Sequence, residues 1–283
     1  MPPTRLTPSR LSVSRLFRVR LATVALVAGL SACSSDDVAD YVERPVEELY
    51  NNAYNAALAG DFKAAAPLFD EVERQHPYSV WATQAQLMAA YALYQSNEYD
   101  DAVSALDRFI QLNPGNPNVD YAYYLKGLCY YERIVDVGRD QKLTRDALSS
   151  FEEVVSRFPN SKYARDARLK IDLARNHLAG KEMSIGRWYM RQGQYLAAIN
   201  RFKRVVDEFD TTEQVPEALM RMTESYVAIG LTAEAKRTAA VLGYNYPGSD
   251  WYEDAYVLAT EGRARTTAES GDDGWFGWGL GPF

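Results

Sequence analysis

The sequence predicts an all-α protein, a solenoid of five helix–turn–helix repeats with a long connecting helix between repeats 3 and 4 and a C-terminal capping helix. Three observations support this. One short pattern recurs five times, its copies are spaced like helical hairpins, and proline follows four of them at a fixed distance. The pattern is a small or polar residue, any residue, an aromatic, Ala three positions on, and a large apolar residue four later. Clear copies are Gly60-Asp61-Phe62…Ala65…Phe69, Asn97-Glu98-Tyr99…Ala102…Leu106 and Gly193-Gln194-Tyr195…Ala198…Phe202. Weaker copies centre on Ala147…Phe151 and Ala235…Ala239. Pro77, Pro114, Pro159 and Pro247 each fall 12 residues after their alanine, and Asp210 takes that place in the fourth copy.

Ahead of the repeats, residues 1–20 are basic and Leu21–Leu30 form a ten-residue apolar run. That is the layout of a secretory signal, and it is too short for a membrane span, which needs about 20 apolar residues. Leu30-Ser31-Ala32-Cys33 follows and resembles the bacterial lipobox. This resemblance implies that residues 1–32 are a lipoprotein signal peptide and that Cys33 carries the lipid. The alternative is an ordinary cleaved signal with an incidental cysteine. Residues 33–44 read as an acidic tether from Cys33, and Ser34 is compatible with sorting to the outer membrane.

Removing residues 1–32, which carry five arginines and no acid, takes the net charge from −7 to −12. Such a body repels phosphate backbones, which argues against nucleic acid as a partner. The two cysteines, Cys33 and Cys129, can build neither a disulfide framework nor a zinc site. Cys129 reads as a small buried hydrophobe, and His76 and His177 lack ligand partners. No phosphate loop, nucleophile triad or paired carboxylates are present, so catalysis, metal and cofactor are not expected beyond covalent lipid on Cys33.

The anchoring alanines 65, 102, 147, 198 and 235 lie 37, 45, 51 and 37 residues apart. The pattern resembles the tetratricopeptide repeat (TPR), a 34-residue helical hairpin. The alanine lets helix B approach helix A, the apolar residue one turn on fills the gap, and Gly or Asn suits the turn. The 45-residue gap places an insertion at Val135–Lys142. Gly127 and Gly186 then fall where helix A favours a small residue. The 51-residue gap leaves room for one more helix at 162–179, with Ala164, Ala167, Leu169, Ile171, Leu173 and Ala174 as its apolar positions. Repeats 1–3 occupy 45–161, and repeats 4–5 with the cap occupy 180–262. The cap, Asp250–Glu261, opens with the capping-box-like pair Asp250 and Glu253. Residues 263–283 read as a disordered Gly/aromatic tail.

In TPR arrays, positions 2, 5, 9 and 12 of helix A line the inner face. In repeats 1–3 these positions include Tyr50, Tyr54, Tyr91, Tyr94, Tyr121, Tyr124 and Tyr131. In repeats 4 and 5 they hold Gly180, Met183, Arg187, Met190, Glu217, Met220, Glu224 and Val227, with no tyrosine. Tyrosine suits extended-peptide recognition because it pairs an apolar ring with a polar tip at low entropy cost. The other reading is that these rings pack between repeats.

"LNPGNPNVDYAYYLKGL" (112–128), "HPYS", "FPNSKYARDA", the lipobox and the linking helix together resemble the BamD family of outer-membrane assembly lipoproteins. The resemblance covers Cys33 to about Glu261. It implies a non-catalytic subunit of the β-barrel assembly machinery, lipid-anchored at the periplasmic face of the outer membrane. Its implied partners are BamA, other subunits of the complex and unfolded outer-membrane β-barrel clients. It also implies a BamA contact at Arg201, in "AAINRFKRVV", and client recognition by the N-terminal repeats. Another periplasmic TPR adaptor, serving the cell envelope or division, is the competing function.

Overall fold

The computed structural model describes residues 43–262. The expectations for Cys33, the signal, the tether up to residue 42 and residues 263–283 lie outside the described residues. Among the described residues every regular element is an α-helix. In chain order these are α1 (Val46–Leu58), α2 (Phe62–Gln75), α3 (Val80–Gln95), α4 (Tyr99–Leu112), α5 (Val119–Tyr131), α6 (Lys142–Arg157), α7 (Ala164–Arg191), α8 (Tyr195–Glu208), α9 (Val215–Ala228), α10 (Thr232–Asn245) and α11 (Asp250–Glu261). They form five hairpins and a closing helix. Each helix packs on the next, and the first helices of successive hairpins also touch: α1 with α3, α3 with α5, α7 with α9, α9 with α11. This is the TPR solenoid.

The repeat pattern explains the packing. Ala65, Ala102, Ala147, Ala198 and Ala235 are fully buried, as are Phe69, Leu106, Phe151 and Phe202. Phe151 and Phe202 each fill the space beside a glycine on the facing helix. A Cβ added at Gly127 would lie 2.6 Å from the Phe151 ring, and one at Gly186 would collide with the Phe202 ring in the same way. Burying each phenylalanine contributes about 2–3 kcal/mol. The hairpin turns depend on residues that tolerate positive φ: Gly60, Asn97, Gly193 and Gly230 lie at φ 80°, 64°, 71° and 77°.

The second helices stop two residues before their prolines, at Gln75, Leu112, Arg157 and Asn245. α8 stops at Glu208, two residues before Asp210, and its end residue Phe209 (φ −130°, ψ 40°) matches His76 (φ −132°, ψ 60°). Proline is therefore not required for the stop. The same backbone bond, from the N–H of Phe209 to the carbonyl of Val205, closes this helix.

Three local features differ from or go beyond the sequence pattern. The segment at 162–179 and the first helix of the fourth hairpin are one unbroken rod, α7, about 42 Å long at 1.5 Å per residue. Its Ala164, Ala167 and Ala174 are buried, but Leu169 and Leu173 are exposed, so its apolar positions do not share one face. In α11 the residue outside the helix is Ser249, and Asp250 is the first helical residue, so no Asp250–Glu253 capping box forms. Asp250 and Glu253 both lie in the first turn, where their charges favour the positive helix end.

The insertion after α5 is folded onto α7. His177 Nε2 donates to the carbonyl of Val135 at 2.8 Å, and Lys181 Nζ donates to that of Gly138 at 2.9 Å. Inside the loop, buried Gln141 donates to the carbonyls of Asp136 and Arg139 and accepts from Thr144 Oγ1 at 2.8 Å. The loop thus uses its own polar groups to brace the middle of the rod.

Candidate functional site

The described residues form two unlike surfaces along the first helices of the hairpins. The first is aromatic. Tyr50 on α1 stacks with Tyr54, one turn on, at 6.3 Å between ring centres, and meets Trp81 at the start of α3 at 4.8 Å. Its other side leans on Phe69 of α2. Tyr91 on α3 contacts Phe62 and accepts a hydrogen bond from Gln95. Tyr94 contacts Tyr99 at 5.8 Å. On α5, Tyr121 and Tyr124 both pack on Tyr163, at 5.2 and 5.0 Å, just before α7 begins. Tyr131 touches Phe151 and lies beneath Lys170 Nζ at 4.3 Å.

None of the seven expected tyrosines is fully buried, and Tyr54 is 41% exposed. Each leans one flank on a neighbouring ring or helix. The strip thus runs from one first helix to the next.

Burial holds the hydroxyls of Tyr50, Tyr94, Tyr121 and Tyr124 in their protonated form. Burial pushes Tyr94 up to about 12, and the carboxylate of Glu132 adds to the effect. Burial raises Tyr121 further, reinforced by the neighbouring phenols Tyr91 and Tyr163. Tyr124 is raised first by burial, then by donating its hydroxyl proton to Asp166 Oδ2. At neutral pH the strip offers apolar faces with O–H groups that donate and accept, a surface suited to extended polypeptide backbone.

The second surface is ionic. Glu217 on α9 accepts from Arg187 Nη1 of α7 through both oxygens at 3.0 Å. It also accepts from Arg221 at 3.4 Å. Arg221 pairs with Glu224 at 2.9 Å and lies over the Trp251 ring of α11 at 5.5 Å. Of the eight expected wall positions here, Met183 and Met220 are buried in the core. They fill space beside helices α8 and α10 and leave the charged side chains to form the surface.

Arg201 stands on α8, half-buried, with Nη1 3.1 Å from Glu182 Oε2 on α7. Arg204 pairs with the other Glu182 oxygen at 2.9 Å and with Glu208 at 3.0 Å. Glu182 is only 12% exposed and is shared by two arginines, so it fixes both across the α7–α8 contact.

Four members of these surfaces carried no signal in the repeat count. Tyr163, Asp166 and Lys170 fall in the segment outside the repeat frame, and Trp81 precedes the first position assigned to its repeat. Aromatic or charged identity next to the Pro159 and Pro77 turns was the only available hint.

A family profile described as "YfiO: Outer membrane lipoprotein" matches residues 42–242. The chain belongs to this family. It is 50% identical over 254 residues to the "Outer membrane protein assembly factor BamD" of Caulobacter vibrioides, covering 89% of this chain and 83% of that one. It is 46% identical to the protein of the same name from Rickettsia prowazekii, covering 84% and 96% of the two chains. The protein of that name from Neisseria gonorrhoeae is 36% identical, with 83% and 94% covered. The family's matched stretch contains all seven tyrosines and Arg201.

Proposed function

We propose that this protein is an assembly factor for outer-membrane proteins, acting as a non-catalytic scaffold within the β-barrel assembly machinery. The observation that carries the reading is the 46–50% identity, over most of both chains, to relatives named as such factors. In this reading Cys33 holds the protein to the periplasmic face of the outer membrane through lipid. One acyl chain binds only marginally at about 0.8 kcal/mol per buried CH₂, so stable anchoring takes more than one chain. The scaffold works without cofactor or metal.

The first block and the second take different partners. The tyrosine strip of Tyr50, Tyr54, Tyr91, Tyr94, Tyr121, Tyr124 and Tyr131 receives unfolded β-barrel clients. Its support is the run of partly exposed phenol rings, which can stack on client side chains and hydrogen-bond client backbone. The second block, through Arg201, binds BamA. Glu182 holds Arg201 in place, so a carboxylate on BamA shares or displaces that pair, and charge reversal at 201 opposes it. Other subunits of the complex join the same scaffold.

The test is depletion of the protein followed by quantification of outer-membrane barrels, together with capture of the anchored protein from solubilised membranes. Barrel levels should fall and BamA should co-purify. Unchanged barrel levels with no BamA in the captured material would refute the assignment.

A further inference from the structure

No Asp, Glu, Lys or Arg occurs from Gln75 to Asn97, a stretch that holds the α2–α3 turn and all of α3. The turn is built to stand out. Pro77 fixes its own φ, Ser79 donates its N–H to the carbonyl of His76 at 3.0 Å, and Ser79 Oγ accepts from the N–H of Ala82 at 3.0 Å. Tyr78 is fully exposed, Val80 is 89% exposed, and Trp81 is exposed on one flank. Val80 also lines an open cleft of about 550 Å³ with Leu112, Pro114 and Pro117 of the α4–α5 turn, which is itself uncharged from Phe109 to Val119. Leu112 is 62% exposed. Two uncharged turns therefore share one patch. On the second helices that lead into them, Arg74 pairs with Glu71 and Arg108 with Glu73. Exposed Glu43, Arg44, Glu47 and Glu48 flank the patch at the start of α1.

The equivalent turns further along the solenoid are charged. The α6–α7 turn is followed by exposed Lys162 and Arg165, the α8–α9 turn carries Asp210 and Glu213, and the α10–α11 turn leads into Asp250 and Glu253. The chain enters the solenoid at the uncharged end. α1 starts at Val46, and Tyr50, one turn on, meets Trp81 at 4.8 Å, so the starts of α1 and α3 lie side by side. With lipid on Cys33, the twelve residues from there to Pro45 span at most about 43 Å even when fully extended. The patch is thus held near the bilayer, at an effective concentration in the millimolar range for a short tether, where a weak contact suffices. Tyr and Trp favour the headgroup level because one end of each ring is apolar and the other polar. The acidic body as a whole is repelled by anionic lipid, so an uncharged edge is the part that can approach.

We propose that Tyr78, Val80, Trp81 and Leu112 seat in the headgroup layer of the membrane that holds the lipid of Cys33, as a second contact beside the anchor. The inference rests on the anchored reading of Cys33. The lipid attaches the protein, and this contact orients it. It sets the starts of α1 and α3 against the bilayer, so the tyrosine strip begins at the membrane surface, at Tyr50 and Trp81. It leaves the acidic turns of the second block in water.

The test uses the full-length lipidated protein on vesicles of phosphatidylethanolamine with minor shares of phosphatidylglycerol and of a headgroup-nitroxide lipid. A nitrobenzoxadiazole fluorophore is attached through Tyr78→Cys, through Asn118→Cys or, as a control, through Thr211→Cys in the α8–α9 turn. Cys129 is fully buried and burial pushes its thiol up to about 12, so it stays unlabelled. Vesicle flotation reports the anchor separately. The expected result is that the protein floats and that the nitroxide quenches the label at 78 and 118 at least threefold more than at 211. In the double variant Tyr78→Ser with Val80→Ser, quenching at 118 should fall at least threefold while flotation and circular dichroism stay unchanged. Flotation with equal quenching at 78, 118 and 211 overturns this contact and leaves the anchor standing. Wild-type protein that does not float overturns the anchored reading and this inference with it. A blue-shifted but unquenched label at 78 would mean that a second copy covers the turn, and it also overturns the proposal.

Discussion

The hairpins α1–α6 and α7–α10 share one packing scheme and present opposite chemistry. In both, a phenylalanine on the second helix fills the place beside a glycine on the first, as Phe151 does with Gly127 and Phe202 with Gly186. Outward from that core, the first block shows phenol rings and the second shows arginines locked to glutamates. The difference teaches that the repeat fixes only a few positions per hairpin. The rest of the first helix is free to carry a surface, and a chain with two blocks can carry two.

The shared core gives the largest expected effect. Phe151→Ala and Phe202→Ala should each lower stability by about 3–5 kcal/mol, through lost burial and an unfilled cavity. Urea unfolding followed by circular dichroism, with hydrogen exchange to locate the loss, measures this. Equal losses confirm that the blocks share a core, and a loss confined to one block breaks the parallel. Next comes Glu217→Gln, which strips the carboxylate shared by Arg187 and Arg221. Arg221 is almost fully covered, so a cost of about 2 kcal/mol is expected. A double-mutant cycle with Arg187→Met separates pairing from packing. If Glu217→Gln changes nothing, the second surface is not organised by this ion pair.

The corresponding polar bond in the first block is smaller. Tyr124→Phe keeps the ring on Tyr163 and loses the bond to Asp166, costing about 1 kcal/mol in thermal or urea unfolding. A loss as large as that of Phe151→Ala would mean that the hydroxyl, not the ring, holds the strip. The last effect is graded and absent at neutral pH. Phenols raised in the folded state bind protons that the unfolded chain has already lost. Stability of the first block should therefore fall as pH climbs from the ordinary phenol value near 10 towards about 12, where Tyr94 ionises. Ultraviolet titration of phenolate, with hydrogen exchange on each block, should show the first block loosening while the second holds. Loosening of both together would contradict it.

Much of this was legible in the residues. Alanine spacing located the hairpins, and the periodic count found the tyrosines because wall positions recur with the repeat. The count failed where the frame shifts. α7 passes through Gly180 without a break, so Tyr163, Asp166 and Lys170 complete the first surface from a segment with no repeat position. Leu169 and Leu173 read as core residues by composition but are exposed. The partner of Arg201, Glu182, is nineteen residues away on another helix, and only three-dimensional packing brings them together. The bracing of the 132–141 loop by His177 and Lys181 is hidden for the same reason. Side chain to backbone bonds across more than forty residues leave no periodic trace.

The central claim is that the tyrosine strip of the first block and the Arg201 region of the second serve different partners, and paired variants test it most directly. Binding of a fluorescent client-derived peptide and capture of the BamA periplasmic region are measured for wild type, for Tyr91→Ala with Tyr124→Ala, and for Arg201→Glu. The account predicts that the tyrosine pair weakens peptide binding at least tenfold and leaves BamA capture intact, while Arg201→Glu does the reverse. Peptide binding that survives in a folded tyrosine variant, or both activities falling together in either variant, would contradict it.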